Sequence, residues 1–208
     1  MSADDVAQLV LRERQCRDRG WYEDMVDCFA DDSVVEMSWF NGSGADFVKA
    51  TRDMADHGDV AVHRLGPPTV RVDRDRAWVE LPLVIEWRID VGGVEADLAS
   101  ACRSQYRAQY GADGQWRIVR ITSVYERDTL TPALPNTQLD IEPEELAGYR
   151  PSYRCLAWDL NRKGYQVSDD HLGDDRPDAV HAQYRAEMTW LHANDTPAAP
   201  AGARKEQS

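Results

Sequence analysis

Positive charge is scarce in this chain of 208 residues: 24 Lys and Arg stand against 37 Asp and Glu, a formal net charge of −13. A phosphate backbone or an anionic membrane surface needs a clustered positive field, and no basic stripe supplies one, so neither nucleic acid nor membrane is expected as a partner. No apolar run approaches the ~18 residues of a membrane span, and the polar opening MSADDVAQ is unlike a signal peptide. A cytoplasmic location is expected. Cys16, Cys28, Cys102 and Cys155 are scattered without a CxxC or other ligand spacing and read as reduced, mostly core, thiols. His57, His171, His181 and His192 have no partners at ligand spacing. The acidic run Asp169-Asp170 with Asp174-Asp175 lacks the alternating ligand order of a calcium loop and reads as a solvated turn and helix cap. No metal is assigned. Phosphate loops, nucleophile elbows and flavin motifs are absent as well, and no cofactor is expected.

The patterns that are present outline one α+β domain. Val6, Leu9, Val10, Glu13 and Cys16 recur at helical spacing over 4–17, with Arg12, Arg14 and Arg17 read largely onto the other faces, and Gly20 ends the run. A short helix over 22–30, a strand over 33–39, a turn at 41–44 and a helix over 45–57 follow. From His63 onward the period is that of strands: 69–73, 77–91, 95–110 and 116–125, joined by turns at 73–76, Gly92-Gly93 and 111–114. Within 95–110 the even-numbered residues from Ala96 to Tyr110 share one face. Pro82 inside its strand marks an edge or a bulge. Helices packed on one face of a strongly curved, mostly antiparallel sheet are the expected architecture. Pro132, Pro135, Pro143 and Pro151, without a clear period, make 128–151 read as a linker. Helices over 152–163 and 177–192 follow, the first stopped by Gly164 and the second opened by Pro177. The expected division is a cone domain over 1–130, a linker and helical extension over 131–193 covering the pocket mouth or a partner subunit, and a disordered tail over 194–208.

Three ordered blocks carry a family resemblance. They are Cys16 to Ser33 (CRDRGWYEDMVDCFADDS), His63 to Ala77 (HRLGPPTVRVDRDRA) and Tyr106 to Ile118 (YRAQYGADGQWRI). Together they resemble the SnoaL-like branch of the nuclear transport factor 2-like superfamily, a cone-shaped α+β barrel. Its eliminating members include scytalone dehydratase, bile-acid 7α-dehydratase and lindane dehydrochlorinase. In these an Asp at the end of helix one holds a His near the start of a strand, and by position Asp18 and His63 match them. The resemblance implies a cofactor-independent lyase or isomerase, a dehydratase above all, acting on a small hydrophobic hydroxylated molecule, and a homodimer or higher assembly through the sheet. The same scaffold also serves cyclases, epoxide hydrolases and non-catalytic ligand-binding or assembly proteins. Two positions depart from the pattern: Glu13 stands where the dehydratases carry a Tyr, and Thr122 or its neighbours where the dehydrochlorinase carries an Arg.

The chemistry follows from residue types. An imidazole both takes and gives protons near neutral pH, so His63 reads as general base and acid, and Asp18 would fix its tautomer and stabilise the imidazolium. Glu13, on the apolar stripe, reads either as a buried unpaired carboxylate with a raised pKa, able to act as an acid, or as a boundary Glu paired with an Arg. Glu86 interrupts an apolar run and would either enter the cavity or form a salt bridge. Tyr106, Tyr110 and Tyr125 are candidate hydrogen-bond donors to a substrate oxygen, and Trp39 a candidate pocket wall, each with core packing as its alternative.

Overall fold

A computed structural model describes residues 2–193. Helix α1 (Ala3–Arg19) opens in a capping box: the Ser2 side chain accepts from the Asp5 N–H while the Asp5 carboxylate accepts from the Ser2 N–H. The N-cap is therefore Ser2, with Asp5 at the third helical position. The helix ends at Gly20, whose φ of 70° is left-handed and whose N–H closes back on Cys16 and Arg17 carbonyls. This stop sets Asp18 in the last turn. Helix α2 (Tyr22–Val26) is shorter than its pattern promised, because strand β1 (Phe29–Met37) begins at the Phe-Ala-Asp-Asp corner. Residues 40–43 form strand β2 (Phe40–Ser43) rather than a turn, pairing back on β1. Helix α3 (Gly44–Asp56) follows, capped by the Ser43 hydroxyl, which accepts from the Asp46 N–H at 3.1 Å.

The strands β3 (Val62–Leu65), β4 (Thr69–Asp73), β5 (Arg76–Val91), β6 (Val94–Tyr110) and β7 (Trp116–Pro132) complete a seven-stranded mixed sheet in the order β2-β1-β7-β6-β5-β3, with β4 also on β5. Only β1 and β7 run parallel. The sheet curves without closing, since β2 and β3 remain as edges. Long hairpins dominate: β5 and β6 pair without a break from Arg76↔Gln109 to Val91↔Val94. Pro82 fits because, on the side away from β6, its strand has no regular partner there: β3 pairs from Leu83 onward and β4 up to Glu80, and the Pro82 carbonyl accepts from the Gly66 N–H at 2.7 Å in the gap. The missing N–H points the same way, into that crossover.

Alternation along β6 holds as expected. Ala96, Leu98, Ser100, Cys102, Ser104, Tyr106 and Ala108 are all buried on the inner face, against Val6, Val10, Phe47 and the inner residues of β5 and β7. Each fully buried large apolar side chain there contributes roughly 1.5–3 kcal/mol. The expected linker is partly ordered: β7 crosses residue 130 and runs to Pro132, and α4 (Pro143–Ala147) sits inside it. Helix α5 (Arg154–Arg162) takes its cap from a distant side chain, the Asp128 carboxylate accepting from the Leu156 N–H at 2.8 Å. Helix α6 (Pro177–Leu191) lies on the outer face of the sheet. Its packed face mixes apolar and charged side chains. Glu187 is buried by an ion pair with Arg107 at 2.8 Å, and Tyr184 packs on Trp78 with ring centroids 6.1 Å apart. Residues 194–208, expected as a disordered tail, lie outside the described residues.

Candidate active site

Asp18 and His63 meet. The Asp18 carboxylate accepts the His63 backbone N–H at 2.8 Å through one oxygen and lies 2.5 Å from the imidazole Nδ1 through the other. Helix α1 delivers the acid from its last turn, and β3 delivers the base from its second residue, 45 positions along the chain. The two-point grip fixes both the ring and the strand that carries it. With Nδ1 donating to Asp18, Nε2 is the nitrogen left to act on a ligand. The side chains are 2% and 13% exposed for His63 and Asp18. Burial lowers the His63 pKa to about 4; Arg14 and Arg17 add to that, and Asp18 pulls against it. Burial also works against the Asp18 charge, but the hydrogen bonds and charge of His63 outweigh it and hold the carboxyl below its usual range. The resting pair is therefore a carboxylate and a neutral imidazole.

The cleft in front of His63 is lined by Arg14, Arg17, Trp39, Trp87, Ser104, Ser123 and Tyr125, among others, and it is narrow: about 10 Å³, room for roughly one water. Met37, Ser38, Trp39 and Ser123 also line a wider groove of about 470 Å³, so the two spaces share a wall. The far wall of that groove is the C-terminal segment, through Gln166, Ser168, Asp170, His171 and Leu172. This segment is held by contacts to the sheet and the β1–β2 region and by contacts within itself. Tyr125 and Gly173 form an isolated parallel bridge, Arg150 donates to the Asp169 carbonyl at 2.8 Å and to Asp175, and Tyr165 stacks edge-on to Trp39. The extension thus forms one wall of the groove that adjoins the dyad cleft. The four acidic residues in and beside it serve as partners: Asp174 with Arg103, Asp175 with Arg150, Asp169 with Arg176 and Asp170 with Ser168.

Among the expected site residues, Tyr125 and Trp39 join the dyad at the cleft. The Tyr125 oxygen accepts the Ser38 N–H at 3.0 Å, and burial pushes its pKa up, so its own proton stays on the oxygen, available to a ligand. Glu13 is buried but not unpaired: Arg14 grips both its oxygens, and the Tyr106 hydroxyl donates to it at 3.4 Å. Neither Glu13 nor Tyr106 lines the cleft. Glu86 is a correction. It faces outward, opposite Val62, and pairs with the exposed Arg64 at 2.9 Å, because the inner residues of β5 are the odd-numbered Leu81, Leu83, Ile85 and Trp87. Tyr110 is another. It lies at the far end of β6 against Trp116, with ring centroids 5.3 Å apart, beside the N-terminal half of α1.

Two arginines were missed. Arg14 is buried and Arg17 half-buried, both at the cleft, whereas Arg12 alone stays on an exposed face. The signal was in the helical period itself: Arg14 stands four residues after Val10, Arg17 three after Arg14 and Asp18 four after Arg14, so the apolar stripe turns charged as it reaches the site. Ser104 and Ser123, 2.9 Å apart, were missed as well; both have the inward parity of their strands.

Residues 2–122 match the SnoaL-like domain. The chain belongs to the SnoaL-like family. Like other members it falls in the nuclear transport factor 2-like superfamily, which includes dehydratases and isomerases. This SnoaL-like chain is 30% identical over 181 residues to pea pathogenicity protein 2 of Fusarium vanettenii, covering 84% of this chain and 77% of that one. It is 26% identical to an uncharacterised protein of Emericella nidulans, covering 90% and 89%. Among solved structures, a nuclear transport factor 2-like protein with a cystatin-like fold from Novosphingobium aromaticivorans is 22% identical, with a TM-score of 0.45 over 58% of this chain and 79% of that one. A protein of the same organism, provisionally named a scytalone dehydratase, is 16% identical, with a TM-score of 0.49 over 66% and 91%.

Proposed function

We propose that this SnoaL-like protein is a cofactor-independent acid–base lyase or isomerase, with dehydration of a small hydrophobic hydroxylated molecule as the first reaction to test. The observation that carries the reading is the two-point grip of Asp18 on a buried, neutral His63. A neutral imidazole is the form that can accept a proton, and its tautomer is already set by the carboxylate. In the proposed elimination, Nε2 removes a proton from the carbon next to an activating carbonyl, and the imidazolium so formed is stabilised by Asp18. The carbon–oxygen bond to the neighbouring hydroxyl then breaks, and the same imidazolium returns its proton to the departing oxygen. One water leaves and the catalyst is restored. Tyr125 supplies a neutral O–H toward a substrate oxygen, and Trp39 an aromatic wall.

A second reading, ligand binding without turnover, is favoured by one observation: the cleft before His63 holds about 10 Å³. Turnover requires Trp39 or the C-terminal segment to move aside, and a pure binding role does not bring the ligand to Nε2. Screening hydroxylated polycyclic and polyketide-like compounds by mass spectrometry for loss of one water decides between them. Turnover that disappears in His63→Gln supports the lyase, and binding with no loss of water from any compound in the unaltered protein supports the second reading. Assembly as a homodimer remains part of the proposal. Through the sheet it would use the outer surface that α6 leaves open.

A further inference from the structure

We infer that Arg17 is an oxyanion-binding residue, so that the ligand brought to His63 carries a carboxylate or an ionised phenol on a flat unsaturated frame. The inference rests on the proposed site but not on its chemistry. The neighbouring charges have partners: Arg14, at the cleft, holds Glu13 behind it, and Asp18 holds His63. Among the described residues no carboxylate pairs with Arg17 and no carbonyl accepts from it; its neighbours are the faces of Trp39 and Phe47, with the guanidinium carbon 5.3 and 5.1 Å from the ring centroids. The Glu13 and Asp18 charges act on it only from beyond ion-pair distance, so a half-buried guanidinium with five N–H donors packs on ring faces and is under-used, because such donors strongly prefer anionic oxygens. The desolvation it suffers, together with the Arg14 charge, lowers its pKa to about 10, which still leaves it cationic at neutral pH.

Position supplies the ligand class. Arg17 and His63 line the same cleft, so an anion held by Arg17 there would lie beside the dyad. It also borders a hollow of about 260 Å³ between the end of α1 and α3, so its guanidinium is not sealed in. Trp39, stacked on Arg17, is at once a wall of the cleft and of the 470 Å³ groove. A planar ligand entering along that groove would lie on the indole with its anionic end toward Arg17. The same cation would favour negative charge developing on a carbonyl oxygen as His63 takes a proton, and, because Arg17 already disfavours the imidazolium, it would help that proton move on to the leaving oxygen.

The test pairs anions with neutral isosteres. Benzoate, cinnamate and 2-naphthoate are compared with benzyl alcohol, cinnamyl alcohol and 2-naphthalenemethanol by tryptophan fluorescence and calorimetry at neutral pH. The full-length protein, Arg17→Gln, Arg17→Lys and His63→Gln are used, each checked for an unchanged circular-dichroism spectrum. At least a tenfold preference for one carboxylate over its alcohol is expected. That preference should vanish in Arg17→Gln with the alcohol's affinity kept, survive in part in Arg17→Lys, and survive fully in His63→Gln. No preference in the unaltered protein, failure of all three carboxylates to bind, or a preference that persists in Arg17→Gln overturns the inference. Because His63→Gln abolishes turnover under the proposed function but leaves anion preference intact, failure of one idea is distinguishable from failure of the other.

Discussion

Among the described residues two Asp–His pairs have similar geometry, and only one of them has the surroundings of a site. Asp18 and His63 lie 2.5 Å apart with side chains 13% and 2% exposed, joined a second time through the backbone. Asp73 and His192 lie 2.9 Å apart with side chains 26% and 63% exposed, joining a strand end to the end of α6. Contact alone is therefore not the distinguishing property. The first pair is largely buried, beside two arginines that raise the cost of a third positive charge, so its imidazole is held neutral and its carboxylate ionised. The second lies open to solvent, which screens such a contact. Burial turns the same two residue types from a surface clasp into a poised base.

The contrast can be broken or sharpened by substitution. The largest expected effect is kinetic: His63→Gln should reduce turnover of any identified substrate by about 10²–10⁴-fold, while His192→Gln leaves it unchanged in the same steady-state assay. Equal losses in both variants would mean that burial does not separate the pairs. Next in size is the buried ion pair beside the dyad. Glu13→Ala should destabilise by about 3–5 kcal/mol in urea unfolding, because it strands Arg14 in the core, whereas the exposed Glu86→Ala should cost less than ~0.5 kcal/mol and leave activity intact.

The third effect is a pH dependence of stability. His63 folds with its pKa near 4, below the ordinary 6.5, so the unfolded chain binds the proton more readily. The associated stability is fully present above pH 6.5 and is lost as pH falls toward 4, by about 3 kcal/mol. Urea titrations across that window should show the loss in the unaltered protein, and His63→Gln should reduce it; parallel curves for the two proteins would contradict the assignment.

Much of this was legible in the residues. The α1 stripe, the inward parity of β6 and the hairpin turns follow from periods of 3.6 and 2, and the pairing of Asp18 with His63 followed from the family resemblance of the blocks that carry them. Glu86 was misplaced although parity alone puts it opposite Leu83 and Ile85. Tyr110 has the right parity but lies six residues beyond Ser104, about 20 Å along the strand, so sharing a face did not mean sharing a site. Arg14 and Arg17 fell to a habit of reading charge as solvent-facing, against the spacing that puts them below Val10. The C-terminal segment was the least legible part: its fastenings, Arg150 to Asp175 and Tyr165 to Asp59 and Trp39, join distant positions with no local pattern.

The state of the His63 ring is the centre of the account, and nitrogen-15 NMR of the imidazoles, recorded from pH 8 down to pH 4, reads it without any substrate. The expected spectrum has His63 neutral, protonated on Nδ1 and unchanged until the pH approaches 4. A ring that titrates near 6.5, or that carries its proton on Nε2 at neutral pH, would contradict it.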